Sequence, residues 1–271
     1  MKRFLGADGL LLLALFALTL IAFAGATVLG STPLPLDRTL AALLGLANAG
    51  DSIVVWQIRL PRAVAAWCVG ATLGVCGAAL QGLLRNPLAE PGVLGVSASA
   101  SLGATLVLYY GLSTVSPLAV PLASSAMGVA ATLLLSAVAM RVGSVVTLIL
   151  VGVGLSSFVA ALMALLLNLA PHPFSIADMI NWTLGTVANR SWNDIALVLP
   201  CMGGGLAVLF AWRRPLSALA LGEEAASAVG VNLRIARIAV VLGAGIATGG
   251  AVALAGAVGF VGIVAPHLVR P

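Results

Sequence analysis

The chain of 271 residues is 61% hydrophobic and 8% charged, with a formal net charge of +5. Water-soluble domains carry about 25% charged residues, so this composition excludes a water-soluble fold. Lipid must be the solvent for most of the surface. A spanning chain must then satisfy its backbone polar groups internally, as helices or as a closed barrel. The apolar runs are long, continuous and rich in Leu and Ala, without the alternating polarity of barrel strands, so helices are predicted throughout. The basic residues are scattered one or two at a time rather than gathered on a face, which argues against nucleic acid as a partner.

A spanning helix needs about 20 apolar residues, and that length places the spans in chain order. The first covers roughly 9–30. It follows Lys2 and Arg3 as a signal peptide would, but its apolar stretch is too long for one, so it reads as an uncleaved helix. The second runs from Ala63 to Leu84, between Arg62 and Arg85. Between Glu90 and Arg141 no residue is charged. Ser116, Pro117 and Pro121 divide that stretch into a third span, about 93–112, and a fourth, about 119–140. The fifth covers about 145–169 and the sixth lies between Asp194 and Arg213. The uncharged run Ile238 to Val269 fits a seventh span and a short eighth helix starting near Gly259. An external segment, Pro171–Asn193, carries Trp182 and Trp192, residues suited to a membrane–water interface. The internal segment Arg213–Arg237 predicts a short helix through Ala228, stopped by Gly230. Gly70 with Gly74, and Gly245 with Gly249, have the small-residue spacing of closely packed helices. Cys68, Cys76 and Cys201 read as small apolar packers.

Basic residues favour the cytoplasmic side of a membrane. With an inside N-terminus, that side holds Lys2, Arg3, Arg85, Arg141, Arg213, Arg214, Arg234, Arg237 and Arg270. The outside then holds Arg38, Arg59, Arg62 and Arg190. The asymmetry predicts a cytoplasmic N-terminus.

No catalytic constellation is present. No phosphate-cradling Gly-x-x-x-x-Gly-Lys-Ser/Thr loop occurs, and neither His172 nor His267 has a second ligand at metal-binding spacing, so no metal or cofactor is expected. The spans are almost free of ionisable groups, which disfavours the ion-coupled carrier that is the main rival from another class.

Several long motifs decide the reading. Trp56-Gln57-Ile58-Arg59-Leu60-Pro61-Arg62 precedes the second span. Gly77-Ala78-Ala79-Leu80-Gln81-Gly82-Leu83-Leu84-Arg85-Asn86-Pro87-Leu88-Ala89-Glu90-Pro91-Gly92-Val93-Leu94-Gly95-Val96 closes it and forms the following loop. Glu224-Ala225-Ala226-Ser227-Ala228-Val229-Gly230 has the Glu-Ala-Ala-xxx-Gly form of importer permeases. Gly259-Phe260-Val261-Gly262-Ile263-Val264-Ala265-Pro266-His267-Leu268-Val269-Arg270 ends the chain. From about residue 50 onward the sequence resembles the FecCD-type permease family of ATP-binding cassette (ABC) importers for vitamin B12, iron–siderophore complexes and haem.

The resemblance implies an all-α polytopic membrane protein with the ten-helix type II importer permease fold. About eight of those helices fall within residues 1–271, a single transmembrane domain in which the ninth and tenth are expected to be lacking. It also implies a bacterial inner-membrane location, a homodimer with a pathway on its axis, two ATPase subunits inside and a periplasmic or lipid-anchored binding protein outside. Hydrolysis of ATP would belong to the ATPase subunits, so the chain itself is expected to be no enzyme. Arg59 and Arg62 would dock the binding protein. Leu221, Gly222, Glu223, Glu224, Ala225, Ala226 and Gly230 would couple ATP hydrolysis to transport, with Ala225, Ala226 and Ala228 as a small-residue surface for the ATPase. Val142, Gly143 and Ser144 would close the pathway inside. The solute expected is an iron–siderophore or related metal chelate, with haem and cobalamin as alternatives.

Overall fold

The computed structural model describes residues 7–30, 32–141 and 144–269. Among them it contains α1 (Ala7–Val28), α2 (Leu36–Leu43) and α3 (Ala49–Ile53), which continues through a π-helical turn (Val54–Arg59) into α4 (Leu60–Leu84). A 3-10 turn at Pro91–Leu94 precedes α5 (Val96–Tyr109), α6 (Ala119–Arg141) and α7 (Val145–Asn168). Then come α8 (Pro173–Leu184), α9 (Trp192–Ala211), α10 (Arg213–Ala220), α11 (Glu223–Ala228), α12 (Leu233–Ala255) and α13 (Val261–Val269). Helices α1, α4, α5, α6, α7, α9, α12 and α13 correspond to the eight expected from the sequence. Among the described residues, six helical stretches are long and apolar enough to cross a membrane.

Helix α12 forms the centre. It packs against α9, α6 and α4, and Val240, Val241, Ala244, Ala247, Ala251 and Leu254 on it are fully enclosed. Small residues permit this crowding. A Cβ at Gly249 would stand 3.5 Å from Gly128 of α6, and one at Gly205 would strike the Ala247 and Gly243 backbone of α12. The Gly245–Gly249 pair therefore packs within this chain, on α6. Gly70 faces open space instead, and the close approach on α4 occurs at Gly74 and Gly77, which meet Ala265 and Gly262 of α13.

The third span departs from expectation. A helix of 14 residues is about 21 Å long, too short for a hydrocarbon core of about 30 Å. The preceding segment turns into the bundle to make up the difference. Its 3-10 turn lies on α7, where Gly152 leaves room for Leu94. Glu90 accepts a hydrogen bond from the Phe260 amide at the start of α13 (3.2 Å). Buried Gln81 of α4 donates to the Gly262 and Ile263 carbonyls. Two broken segments thus meet beside α4, where irregular backbone is covered by protein rather than lipid.

Other helices lay outside the sequence expectation. The segment Pro171–Asn193, expected to be external, contains α8, and the stretch before the second span is helical from Ala49 onward. Helix α12 begins at Leu233, with Asn232 accepting from the Ile235 amide as its N-cap, so the span reaches further towards α11 than the uncharged run suggested.

Candidate functional site

At one end of the bundle the chain leaves α9 and forms α10 and α11. Gly222 (φ +122) separates these two helices. Helix α11 ends where Val231 N bonds Ala226 O and Gly230 N bonds Ser227 O, the paired hydrogen bonds of a Schellman cap. That cap places the residue after the helix in the left-handed region, and Gly230 has φ +81. The predicted helix stop at Gly230 is found.

The residues expected to couple ATP hydrolysis to transport divide by what they touch. Leu221 is 82% exposed, and Glu224, Ala225, Ala228 and Val229 also face outward. Ala226 is 0% exposed, packed with Leu219, Ala236 and Val240. Its expected place on a partner-facing surface is corrected: it seats α11 on its own bundle, while Ala225 and Ala228 supply the outward small-residue surface. Glu223 pairs with Arg237 of α12 at 2.7 Å, with side chains 34% and 7% exposed respectively. This ion pair joins the short helix directly to the central one. Arg85, in a left-handed conformation at the end of α4 (φ 49), brings its guanidinium beside Gly222.

At the opposite end, Arg59 and Arg62 diverge. Arg62 is exposed. Arg59 is 5% exposed, and its guanidinium donates to the carbonyls of Thr27 (3.0 Å), Thr32 (2.6 Å) and Val28. The last carbonyls of a helix lack intrahelical partners and carry partial negative charge, so a cation there closes the end of α1. The expectation of two presented arginines is corrected to one, because the turn at Val54–Arg59 points Arg59 inward. The same end is braced by a bidentate Arg38–Asp51 pair and by Trp192 Nε1 donating to the Trp56 carbonyl (2.8 Å).

Val142 and Gly143 lie outside the described residues. Ser144 is exposed and precedes the first turn of α7 without a capping side-chain hydrogen bond. No group of three or more His, Cys, Asp or Glu that could hold a metal ion occurs among the described residues. Sequence reasoning missed the Glu223–Arg237 pair, which joins two helices across 14 positions, and the Glu90–Phe260 bond, which spans 170. The signal available was an arginine at the start of an otherwise apolar run.

The profile of the FecCD transport family matches residues 16–271. The chain belongs to the FecCD transport family. A similar protein is the ABC transporter permease YvrB of Bacillus subtilis, 39% identical over 222 residues, which are 80% of this chain and 62% of that protein. The chain thus spans less than two thirds of that relative's length. The iron(3+)-hydroxamate import permease FhuG of Bacillus subtilis is 32% identical over 94% of this chain and 78% of its own length. The vitamin B12 import permease BtuC of Salmonella typhi is 36% identical over 82% and 68% respectively. A solved structure described as an inward-facing conformation of a metal-chelate type ABC transporter superposes with a TM-score of 0.82. It is 28% identical and covers 95% of this chain and 79% of the matched chain. FecCD membership and the apolar helices make this a multi-pass membrane protein.

Proposed function

We propose that this chain is the membrane-spanning permease subunit of an ABC importer that carries an iron–siderophore or related metal chelate into the bacterial cell. The observation that carries the reading is the Glu223–Arg237 pair, which fixes a short helix with an exposed apolar margin to the most enclosed helix of the bundle. A push by an ATPase on Leu221, Glu224 and Val229 would reach α12 as a rigid-body movement. Val142, Gly143 and Ser144 would close the inner end of the pathway, and a second copy of the chain would complete it. At the far end Arg62 would meet the binding protein, and Arg59 would hold α1 in place behind it. The excess of arginine at the α10–α11 end supports an inner-membrane orientation with that end and the N-terminus in the cytoplasm. The names of FhuG and BtuC leave two solute classes, ferric hydroxamates and cobalamin, with haem a third from the wider family.

The test is uptake by proteoliposomes holding the chain with its ATPase and binding protein. Labelled ferric hydroxamate should accumulate with ATP, stop with vanadate and ignore a protonophore. Uptake that collapses with the protonophore yet survives without ATP would assign the chain to ion-coupled carriers. Cobalamin uptake in place of iron would retain the mechanism and change the solute.

A further inference from the structure

A cavity of about 550 Å³ opens between α5, α8 and the turn leading to α9. Leu108, Asp178, Asn181, Trp182, Thr186 and Arg190 contribute to its wall. Its size lies within the range of small-molecule sites, and it combines apolar walls with a few polar groups as such sites do.

Arg190 sets this cavity apart. Its guanidinium carbon lies 4.9 Å from the centroid of the Trp182 ring, held by stacking and cation–π attraction. Among the described residues it makes no ion pair or hydrogen bond. Neither of the two nearby carboxylates forms an ion pair with it. Asp194 spends one oxygen on the Ser191 amide and hydroxyl and reaches Arg190 only through the longer-range field that opposes the effect of burial on its pKa. Asp178, on the wall, is unpaired with it. Arg190 Nε and Trp182 Nε1 are both shut away from solvent without an acceptor, and unmet buried donors ask for an explanation. The platform beneath is fixed: Thr186 N bonds Ala255 O at 2.6 Å, and the Trp182 carbonyl abuts Gly256. A stacked arginine with no anion bonded to it, on a rigid floor, is arranged to receive one.

We propose that this cavity is a subsite for the anionic oxygens of a carboxylate-bearing chelate, held by Arg190 over Trp182. The inference rests on the proposed import function only in taking the ligand to be the solute. Lipid phosphate shares the chemistry, so the test is made in a phosphate-free maltoside detergent and repeated with anionic lipid added.

Ferric citrate is titrated into the purified chain and followed by calorimetry and tryptophan fluorescence. Saturable binding is expected, weakened about tenfold or more by Arg190→Gln, as loss of a charge-assisted bidentate contact implies, and less by Arg190→Lys. Trp182→Phe should remove most of the fluorescence change. A neutral ferric trihydroxamate should show no dependence on Arg190. Absence of citrate binding to the unsubstituted chain, or equal binding by Arg190→Gln with an unchanged melting temperature, overturns the proposal. So does binding that appears only when anionic lipid is removed and is unaltered by the substitution. Arg190-dependent binding in a chain that fails ATP-driven uptake would leave the subsite standing and refute the import function instead.

Discussion

Replacing Gly77 with alanine tests how the short helix α13 is held. A Cβ there would stand 2.6 Å from the Gly262 carbonyl carbon and 2.7 Å from its Cα, and closer still to the oxygen. Ordinary contact begins near 3.4 Å. Both partners are backbone, so no side chain can swing aside, and α13 must retreat by about 1 Å in an interior packed to crystal density. A gap of that size forfeits a quarter to a half of the dispersion well of each neighbouring pair. It also breaks the Gln81 contacts to Gly262 and Ile263, already long at 3.4 and 3.5 Å. Overpacking of about 1–3 kcal/mol plus a lost hydrogen bond of about 1 kcal/mol gives a destabilisation of roughly 2–4 kcal/mol. Gly70→Ala is the internal control. Nothing lies within 4 Å of its added carbon, so it should gain up to about 1 kcal/mol of helix propensity. Thermal unfolding of the purified variants in one detergent reads both. Gly77→Ala melting at or above the unsubstituted protein would refute the packing argument.

Three further outcomes follow from the two ends of the bundle. Reversing Glu223 to Arg should set two cations against each other and cost about 3 kcal/mol, while adding Arg237→Glu should restore most of it. A double-mutant cycle on unfolding measures the coupling, and under the proposed function ATP hydrolysis by the chain assembled with an ATPase should follow the same pattern. Arg59→Met should destabilise the protein by about 2 kcal/mol of lost helix-end hydrogen bonding, read as a lower melting temperature. Arg62→Glu should leave melting unchanged and weaken binding-protein affinity at low salt, where rim charges act most. Ala226→Trp should unseat α11 and destabilise the protein by at least about 1–3 kcal/mol. Ala225→Trp should spare melting and reduce ATPase association, read by co-purification.

The helices were legible because lipid imposes a length and a polarity that no single position can hide. Spans four, five and six fell close to α6, α7 and α9 for that reason. Where the chain turns back inside the bundle, the rule fails. The residues from Pro91 to Tyr109 are apolar enough for one span, and only the Gly152 notch and the Glu90–Phe260 bond reveal that the helix starts late. Motif resemblance singled out residues 221–230, Arg59 and Arg62 but not how their side chains are oriented. Ala226 and Ala225 are the same residue type one position apart, and rotation about the helix axis decides which is buried. Arg59 and Arg62 differ likewise. Their separation depends on a local widening of the helix that apolar periodicity does not encode.

That widening has a consequence for how the family's sequences can vary in length. The helical run from Ala49 to Leu84 passes through the π turn at Val54–Arg59 without a break, and such a turn holds one residue more than the helix around it. Deleting one residue there would restore regular winding and rotate everything before it by about 100°. Val55 would leave the core, Trp56 would lose the Ala42 carbonyl, and the guanidinium of Arg59 would swing off the end of α1. The extra residue works as a phase setting between two helical faces. The lengths of chain on either side of it are therefore free to change only together with the partner surfaces they address.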